Sequence, residues 1–422
     1  MGALKDMQTE LTERAVPQTG WSGAARSEAM ARVRNMGLPG RRDEYWRFTR
    51  PDALTAAAPD AAPLLKTDEP AIFGEIDSLH IVFVDGMFDA AASDDLSLTG
   101  LSIERLAAAQ TDIHWAQGLY GQLEARGQSP VARPLAALNT ALATDGLLIH
   151  VTGPVAKPVH VTYQRSDPSA DAMLHHVIKL DPGTSLTFLE NGPAAARMNT
   201  VLEAEIAETA QLHHIRAQGR DHERVSATHL FARLGANSTF KSFTMTANGA
   251  LTRNEAVIEL TGDEGIAHIA GACVGDGAFH HDDTVFITHD AARCESRQVF
   301  KKVLRNGAVG VFQGKILVKP GAQKTDGYQI SQSLLLDEDS QFLAKPELEI
   351  YADDVACSHG STSGAIDETA LFYLRSRGVP RADATDLLTL AFLAEAVDEI
   401  EDPDLRAQIE ARLAEWLERH RH

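Results

Sequence analysis

The sequence predicts a mainly-β protein, a β-solenoid set between two helical ends, and three observations carry that reading. From Gly146 to Val355 the chain is built of short alternating strands separated by Gly, Asp and Asn turns, almost without helical periodicity. Within it, strand entries align on Asp181-Pro-Gly-Thr-Ser-Leu-Thr-Phe, Ala207-Glu-Thr-Ala-Gln-Leu-His-His, Arg233-Leu-Gly-Ala-Asn-Ser-Thr-Phe and Asp263-Glu-Gly-Ile-Ala-His-Ile-Ala. Their third members, Gly183, Thr209, Gly235 and Gly265, stand 26, 26 and 30 residues apart. A period of roughly 20 to 50 residues suits stacked units that bury their apolar faces on one another. Helical spacing with capping residues then appears only before and after this stretch. A β-sandwich would give a similar turn density, so pattern alone leaves it as the alternative.

Taken in order, the first third reads as mainly helical. Ser22 can cap a segment through Met36 that ends at Gly37 and Pro39. Pro51 to Pro70 is Ala/Pro/Asp-rich and reads as an exposed connection. His80 to Val84 is a short apolar strand entering Asp85-Gly86, and Ile103 to Ala143 reads as helical with a break near Gly127 to Pro130. The other end pivots on Pro346 to Pro380, which begins as a strand at Leu348, Ile350 and Tyr351. It then passes through a small polar turn containing Cys357 and His359, and becomes a helix capped by Asp367 and stopped by Gly378 and Pro380. Three helices are expected, Asp367–Arg377, Asp383–Ile400 and Asp404–Arg419. The second carries Leu387, Leu388, Ala391, Phe392 and Ala394 as a stripe expected to pack on its own domain. Glu395, Asp398 and Glu399 beside it read as a solvated face, with a partner-facing surface as the alternative. The expected division is 1–145 helical, 146–358 β core and 359–422 helical.

Composition limits the function. With 422 residues, 44% hydrophobic and 23% charged, the chain has the make-up of a water-exposed globular protein with an ample core. A net charge of −20 argues against nucleic-acid binding, which needs a basic surface. No apolar run approaches the ~20 residues of a membrane span, and Met1 to Glu10 is too polar for a signal peptide, so the cytoplasm is the expected location. Three widely spaced cysteines, Cys273, Cys294 and Cys357, exclude a disulfide framework and any self-contained Cys-x-x-Cys site.

Cys357 and His359 are the leading candidates for chemistry. At i and i+2 of an extended segment they point the same way, about 6 to 7 Å apart. Thiolate with imidazole suits iron–sulfur, zinc or copper chemistry. Two donors are too few, since zinc or an iron–sulfur cluster takes about four; any further donors must come from elsewhere in the chain or from another subunit. The plain alternative is a half-buried Cys and a hydrogen-bonded His in a turn. Cys273 and Cys294 read as buried small hydrophobes. The pairs His175-His176, His213-His214 and His280-His281 read as structural, because strand neighbours face opposite sides; His280-His281-Asp282-Asp283 has the look of a hard-metal cluster but meets the same objection. Gly310-Val-Phe-Gln-Gly-Lys-Ile316 has a phosphate loop's look, but its Gly-to-Gly spacing is one residue short and no Ser or Thr follows Lys315, so ATP binding is not expected. No Ser-His-Asp order or nucleophile elbow is found.

Several stretches resemble one family, the SufD branch of the SufB/SufD proteins of the SUF iron–sulfur cluster assembly machinery. They are Gly37-Leu-Pro-Gly-Arg-Arg-Asp-Glu-Tyr-Trp-Arg-Phe-Thr49, Phe83-Val-Asp-Gly-Met-Phe88, Gly310 to Ile316 and Ala322-Gln-Lys-Thr-Asp326. Above all they are Leu348-Glu-Ile-Tyr-Ala-Asp-Asp-Val-Ala-Cys-Ser-His-Gly360 and Leu371-Phe-Tyr-Leu-Arg-Ser-Arg-Gly378. Ser361, Ser363 and Ala365 depart from the family's more usual Ala, Val and Gln and leave the ligands in place. The resemblance implies a right-handed parallel β-helix with N- and C-terminal helical domains, and a non-enzymatic scaffold. It implies pairing with SufB through the β-helix and docking of the ABC-type ATPase SufC on the C-terminal helices, with Leu371, Phe372, Leu374, Arg375, Leu388 and Phe392 as the contact residues. Cys357 and His359 would then be a half-site, completed by SufB, for a transient iron–sulfur cluster. No cofactor is expected in the isolated chain; flavin binding by the complex and homodimerisation of the isolated chain stay open. Two other classes are weighed against this. A β-solenoid enzyme would show a six-residue Ile/Leu/Val-Gly repeat or a secretion signal, and a purely structural homo-oligomer would pair through a solenoid's open edge.

Overall fold

The computed structural model describes residues 10–17, 20–64, 71–109, 114–192, 194–219 and 223–420. The polar residues 1–9, the end of the Ala/Pro-rich connection at 65–70 and residues 110–113 of the helical stretch lie outside them.

Helix α1 (Gly23–Met36) ends where Gly37, at φ 76°, returns its N–H to Val33 O at 2.8 Å. Ser22 does not cap it. Its backbone is already helical, and its hydroxyl accepts from Arg26 Nε at 3.1 Å. After a 3₁₀ turn at Glu44–Trp46 and the short α2 (Asp52–Thr55) come β1 (Leu79–Val84), β2 (Met87–Phe88) and β3 (Leu101–Arg105), then α3 (Gln122–Arg126) and α4 (Pro134–Leu142). The helical reading of Ile103 to Ala143 is therefore corrected at its start. Ile103 is buried in the interior and its strand pairs antiparallel with the next one, a tertiary contact that overrides local propensity. At Asp85-Gly86, both at positive φ, the chain turns tightly between β1 and β2 as the sequence suggested.

The solenoid strands follow: β4 (Leu147–Val151), β5 (Val159–Gln164), β6 (Asp171–Leu180), β7 (Ser185–Asn191), β8 (Arg197–Ile206), β9 (Gln211–Gln218), β10 (Val225–Leu234) and β11 (Thr239–Ala247). They continue with β12 (Leu251–Leu260), β13 (Ile266–Asp276), β14 (His280–His289), β15 (Glu295–Arg305), β16 (Val309–Val318), β17 (Asp326–Leu335), β18 (Gln341–Ile350) and β19 (Ala356–Gly364). Odd and even strands separate into two sheets, ordered β19-β17-β15-β13-β11-β9-β7-β5-β1-β2 and β18-β16-β14-β12-β10-β8-β6-β4-β3. Every pairing from β4 to β19 is parallel, so each turn lays one strand on each sheet. This is a parallel β-solenoid, not a sandwich.

Its repeat lives in the corners. Gly183, Thr209, Asn237, Glu264, Arg293 and Lys324 all have positive φ and stand two residues ahead of a strand of the odd sheet. The N–H of each of the first five reaches a carbonyl one turn on: Glu208, Ala236, Asp263, Ala292 and Gln323, at 2.8 to 3.0 Å. The sequence alignment met this corner at Gly183 and Thr209. It slipped at Gly235 and Gly265, because Asn237 and Glu264 hold the left-handed position where glycine is the expected marker.

Three apolar layers hold the molecule. Between the sheets lie Leu79, Ile81, Phe83, Ile149, Phe188 and Ile258 among others. Met30, Val33, Leu135 and Leu138 of α1 and α4 cover the even sheet at Met173 and Ala227. The odd sheet is covered by the C-terminal helices α5 (Glu368–Arg375), α6 (Arg381–Val397) and α7 (Pro403–Arg419). There Leu393, Val397, Ile409, Leu413 and Trp416 meet Ile215, Phe243, Val274 and Val303. Asp367 caps α5 as expected, accepting from Thr369 N at 2.8 Å and Ala370 N at 3.1 Å.

On α6 the packed face is not the expected stripe. Ala384, Thr389, Leu393, Ala396 and Val397 point inward, while Ala391 is exposed and Leu387 is 52% exposed. The acidic residues keep part of the expected solvated face, Glu395 and Asp398 being exposed and Glu399 largely covered, and each is also paired: Glu395 with Lys301, Glu399 with His268 at 2.9 Å and Asp398 with Arg406 at 3.3 Å. They latch the helix onto the odd sheet and onto α7, which fixes its rotation.

Candidate functional site

Cys357 and His359 lie within β19, not in a turn; the turn comes earlier, between Tyr351 and Val355. β19 is the last strand of the odd sheet and, among the described residues, pairs only with β17, setting Cys357 beside Gly327 and His359 beside Gln329. Alternation puts Cys357, His359, Ser361 and Ser363 on the face turned toward the even sheet, where Ser361 and Ser363 bond Ser331 and Ser333 at 3.0 and 2.9 Å. Gly327 is needed here. A Cβ on it would stand 3.1 Å from the Cys357 sulfur, so the absent side chain is the space the thiol occupies.

Cys357 packs against Ile316, Val318, Ala322 and Ala352 and is half-buried, whereas His359 is exposed, and no described residue hydrogen-bonds its ring. Burial pushes the Cys357 thiol above its usual range and the Asp326 charge adds to this, while the Gly327 N–H opposes it. The sulfur therefore rests as a thiol, and a soft metal binding there must displace its proton.

The two ends of the solenoid differ. At the first turn the outermost strands are short and antiparallel, and the edge of β1 is covered by loop side chains, Asp94 accepting from His80 N at 2.8 Å and Ser93 from Val82 N at 2.9 Å. At the last, β18 and β19 each pair on one side only and are half-buried to exposed along their lengths, with Ile350 and Tyr351 40% and 59% exposed. Long open edges of this kind are templates for another chain. The Gly37–Thr49 stretch straps the even sheet toward this end. Tyr45 donates to Glu347 Oε2 at 2.5 Å, Lys345 pairs with Glu44 at 2.5 Å, Trp46 stacks on Arg253 at 4.1 Å, and Thr49 donates to Asp282 at 2.5 Å.

The residues expected to contact a partner through the C-terminal helices are placed unequally. Leu371 is buried, Leu374 and Leu388 are half-buried, and Phe392 is half-buried beneath the Lys301 ammonium at 5.0 Å. Phe372 is 72% exposed and Arg375 is exposed. Tyr373, which the sequence did not single out, is 56% exposed and joins Phe372 and Leu387 as the large exposed hydrophobics of α5 and α6.

Cys273 and Cys294 are buried, and burial raises Cys273 to about 12. The histidine pairs split across the sheets as strand geometry requires. His175 bonds Glu203 at 2.9 Å on the outer side while His176 reaches Tyr163 at 3.0 Å inside; His280 bonds Thr49 at 3.0 Å outside while His281 meets Lys302 at 2.8 Å inside. Sequence reasoning missed that the interior carries a polar seam. Burial works to raise the Glu190 carboxyl, but Arg216 and His214 outweigh it and hold it well below the usual range. The phosphate-loop look-alike belongs to this interior. Gly310 and Gly314 lie on β16, and the Lys302 stem and the Gln329 amide occupy the space their side chains would fill.

The comparisons with known proteins agree with this architecture. Residues 162–392 match the family model for the SUF system FeS cluster assembly SufBD core domain. The chain is 29% identical over 401 residues to the iron–sulfur cluster assembly protein SufD of Escherichia coli, covering 90% of each chain. It is 28% identical over 406 residues to an iron–sulfur cluster assembly SufBD family protein of Synechocystis, covering 89% of this chain and 86% of that one. To SufD of Bacillus subtilis it is 27% identical over 286 residues, covering 65% of each. With a solenoid core, helical ends and the family model spanning more than half its length, the chain belongs to the SufB/SufD family of iron–sulfur cluster assembly proteins and is SufD-like.

Proposed function

We propose that this protein is a scaffold of SUF iron–sulfur cluster assembly that works as one half of a pair, an assembly protein rather than an enzyme. The observation that carries the reading is the asymmetry of the solenoid: one end is capped, and the other presents two open strands with a thiol and an imidazole on one face of the outermost. Two donors cannot hold a cluster, so the remaining ligands must arrive on the surface that covers this end. A SufB subunit laid on β18 and β19 would supply them, with Cys357 and His359 as the near half of a transient site. The cluster is cargo here, not a resident cofactor. Phe372, Tyr373 and Leu387, the large exposed hydrophobics of α5 and α6, suit docking of the SufC ATPase.

The test is co-expression with SufB and SufC, followed by iron and sulfide analysis of the purified complex. Cys357→Ala and His359→Ala are expected to leave the complex assembled and to lower its cluster content together. Undiminished cluster in both variants would remove these residues from the site. A stable homodimer whose β18–β19 edge is equally protected with and without SufB would favour the purely structural alternative.

A further inference from the structure

His359 does not stand alone on its face. One strand back, in register, is Gln329, and one strand further is Gln298, so the inward column reads Gln298, Gln329, His359. Both glutamines are fully buried. Gln329 donates from Nε2 to Gln298 Oε1 at 2.9 Å, which fixes the direction of its amide. The room for that amide comes from Gly314 on the opposite sheet, whose missing side chain is the space it fills. The column leaves two buried atoms without a hydrogen-bond partner among the described residues, Gln298 Nε2 and, in register with His359, the acceptor Gln329 Oε1, and the ring of His359 has none either. A buried carbonyl without a donor is destabilising, and the neighbour in register is an imidazole able to supply one.

We propose that Gln329 is a positioning residue for His359: its side-chain carbonyl accepts the N–H of one ring nitrogen and leaves the lone pair of the other free for the cargo. The glutamine column is thus the support for half of the ligand pair, since a metal-binding imidazole is set by what its second nitrogen bonds. Gln298 acts one step further back by holding the Gln329 amide the right way round. The tautomer claim stands on the register and the unsatisfied atoms alone; only its use for the cargo rests on the function proposed above.

The test uses the isolated full-length chain, labelled with ¹⁵N-histidine and held at one pH where the ring is neutral, with His359 assigned by its disappearance in His359→Asn. One tautomer is expected to dominate in the native protein. Gln329→Leu is expected to reduce the tautomer ratio about fivefold, the size of one net hydrogen bond. Gln329→Glu retains an acceptor oxygen and should rescue the ratio. An unchanged tautomer ratio in Gln329→Leu, with the thermal transition intact, overturns the proposal. So does a change that Gln329→Glu fails to restore, because a merely structural glutamine would give that result. Cluster content of the complex with SufB and SufC separates the two ideas. If the ratio moves in Gln329→Leu while His359→Ala leaves the cluster undiminished, the positioning stands and the half-site falls.

Discussion

Replacing Gly314 by alanine tests whether the interior is built around the Gln329 side chain. Gly314 is not in the left-handed region, so alanine meets no backbone penalty and gains roughly 0.5 to 1 kcal/mol from reduced chain entropy. Against this, the new methyl would stand well inside 3.0 Å of Gln329 Nε2 and 2.7 Å from the Phe312 ring. Overpacking a tight interior costs roughly 1 to 3 kcal/mol, and displacing the amide forfeits its bond to Gln298, about 1 kcal/mol. The balance is a destabilisation of about 2 kcal/mol. In a Gln329→Ala background the same methyl meets vacated space and Phe312 can relax into it, so Gly314→Ala should there be close to neutral. Urea unfolding followed by circular dichroism on the four proteins yields the coupling energy. Hydrogen exchange should place the loss in β16 and β17, since solenoid turns feel chiefly their neighbours. Equal costs in the two backgrounds would refute the reasoning.

Three further outcomes are expected. Trp416, buried against the odd sheet with Nε1 donating to Asn248 Oδ1 at 3.0 Å, should lose roughly 3 to 5 kcal/mol on replacement by alanine, read as early exposure of β11 and β13 in hydrogen exchange. Phe372→Glu with Leu387→Glu, at positions 72% and 52% exposed, should leave the unfolding free energy within about 0.5 kcal/mol and weaken SufC capture in a pull-down. Burial lowers His160, His176, His213 and His289 to about 4, so the unfolded chain takes up protons below about pH 6.5 that the folded chain refuses until about pH 4. The stability these groups contribute is complete above pH 6.5 and is lost as pH falls toward 4, and a thermal midpoint flat across that window would contradict it.

What could be read without coordinates was whatever local chemistry writes down. Alternation and turn residues announced the solenoid strands, and Asp367 and Gly378 announced the ends of α5, because caps and left-handed stops act within a few residues. The spacing of Cys357 and His359 put both on one side of an extended chain, which β19 bears out even though a turn was expected there. The quantities that stayed hidden depend on registration across turns. Gln298, Gln329 and His359 are about 30 residues apart and form a column only once the strands are laid side by side. Gly310 and Gly314, already excluded as a phosphate loop by their spacing, make room for Lys302 and Gln329, which no local pattern shows.

The sequence by itself determined the kind of architecture and the common face of Cys357 and His359, since strand alternation and capping belong to single residues and near neighbours. Only the tertiary structure decided which faces meet. It turned α6 by pairing Glu395 and Glu399 with the odd sheet, drew Ile103 into a strand, and left β18 and β19 open beside the thiol and the imidazole. The physical reason is the same in each case: burial and pairing across long loops are settled by the whole stack at once, and no short stretch of chain carries them.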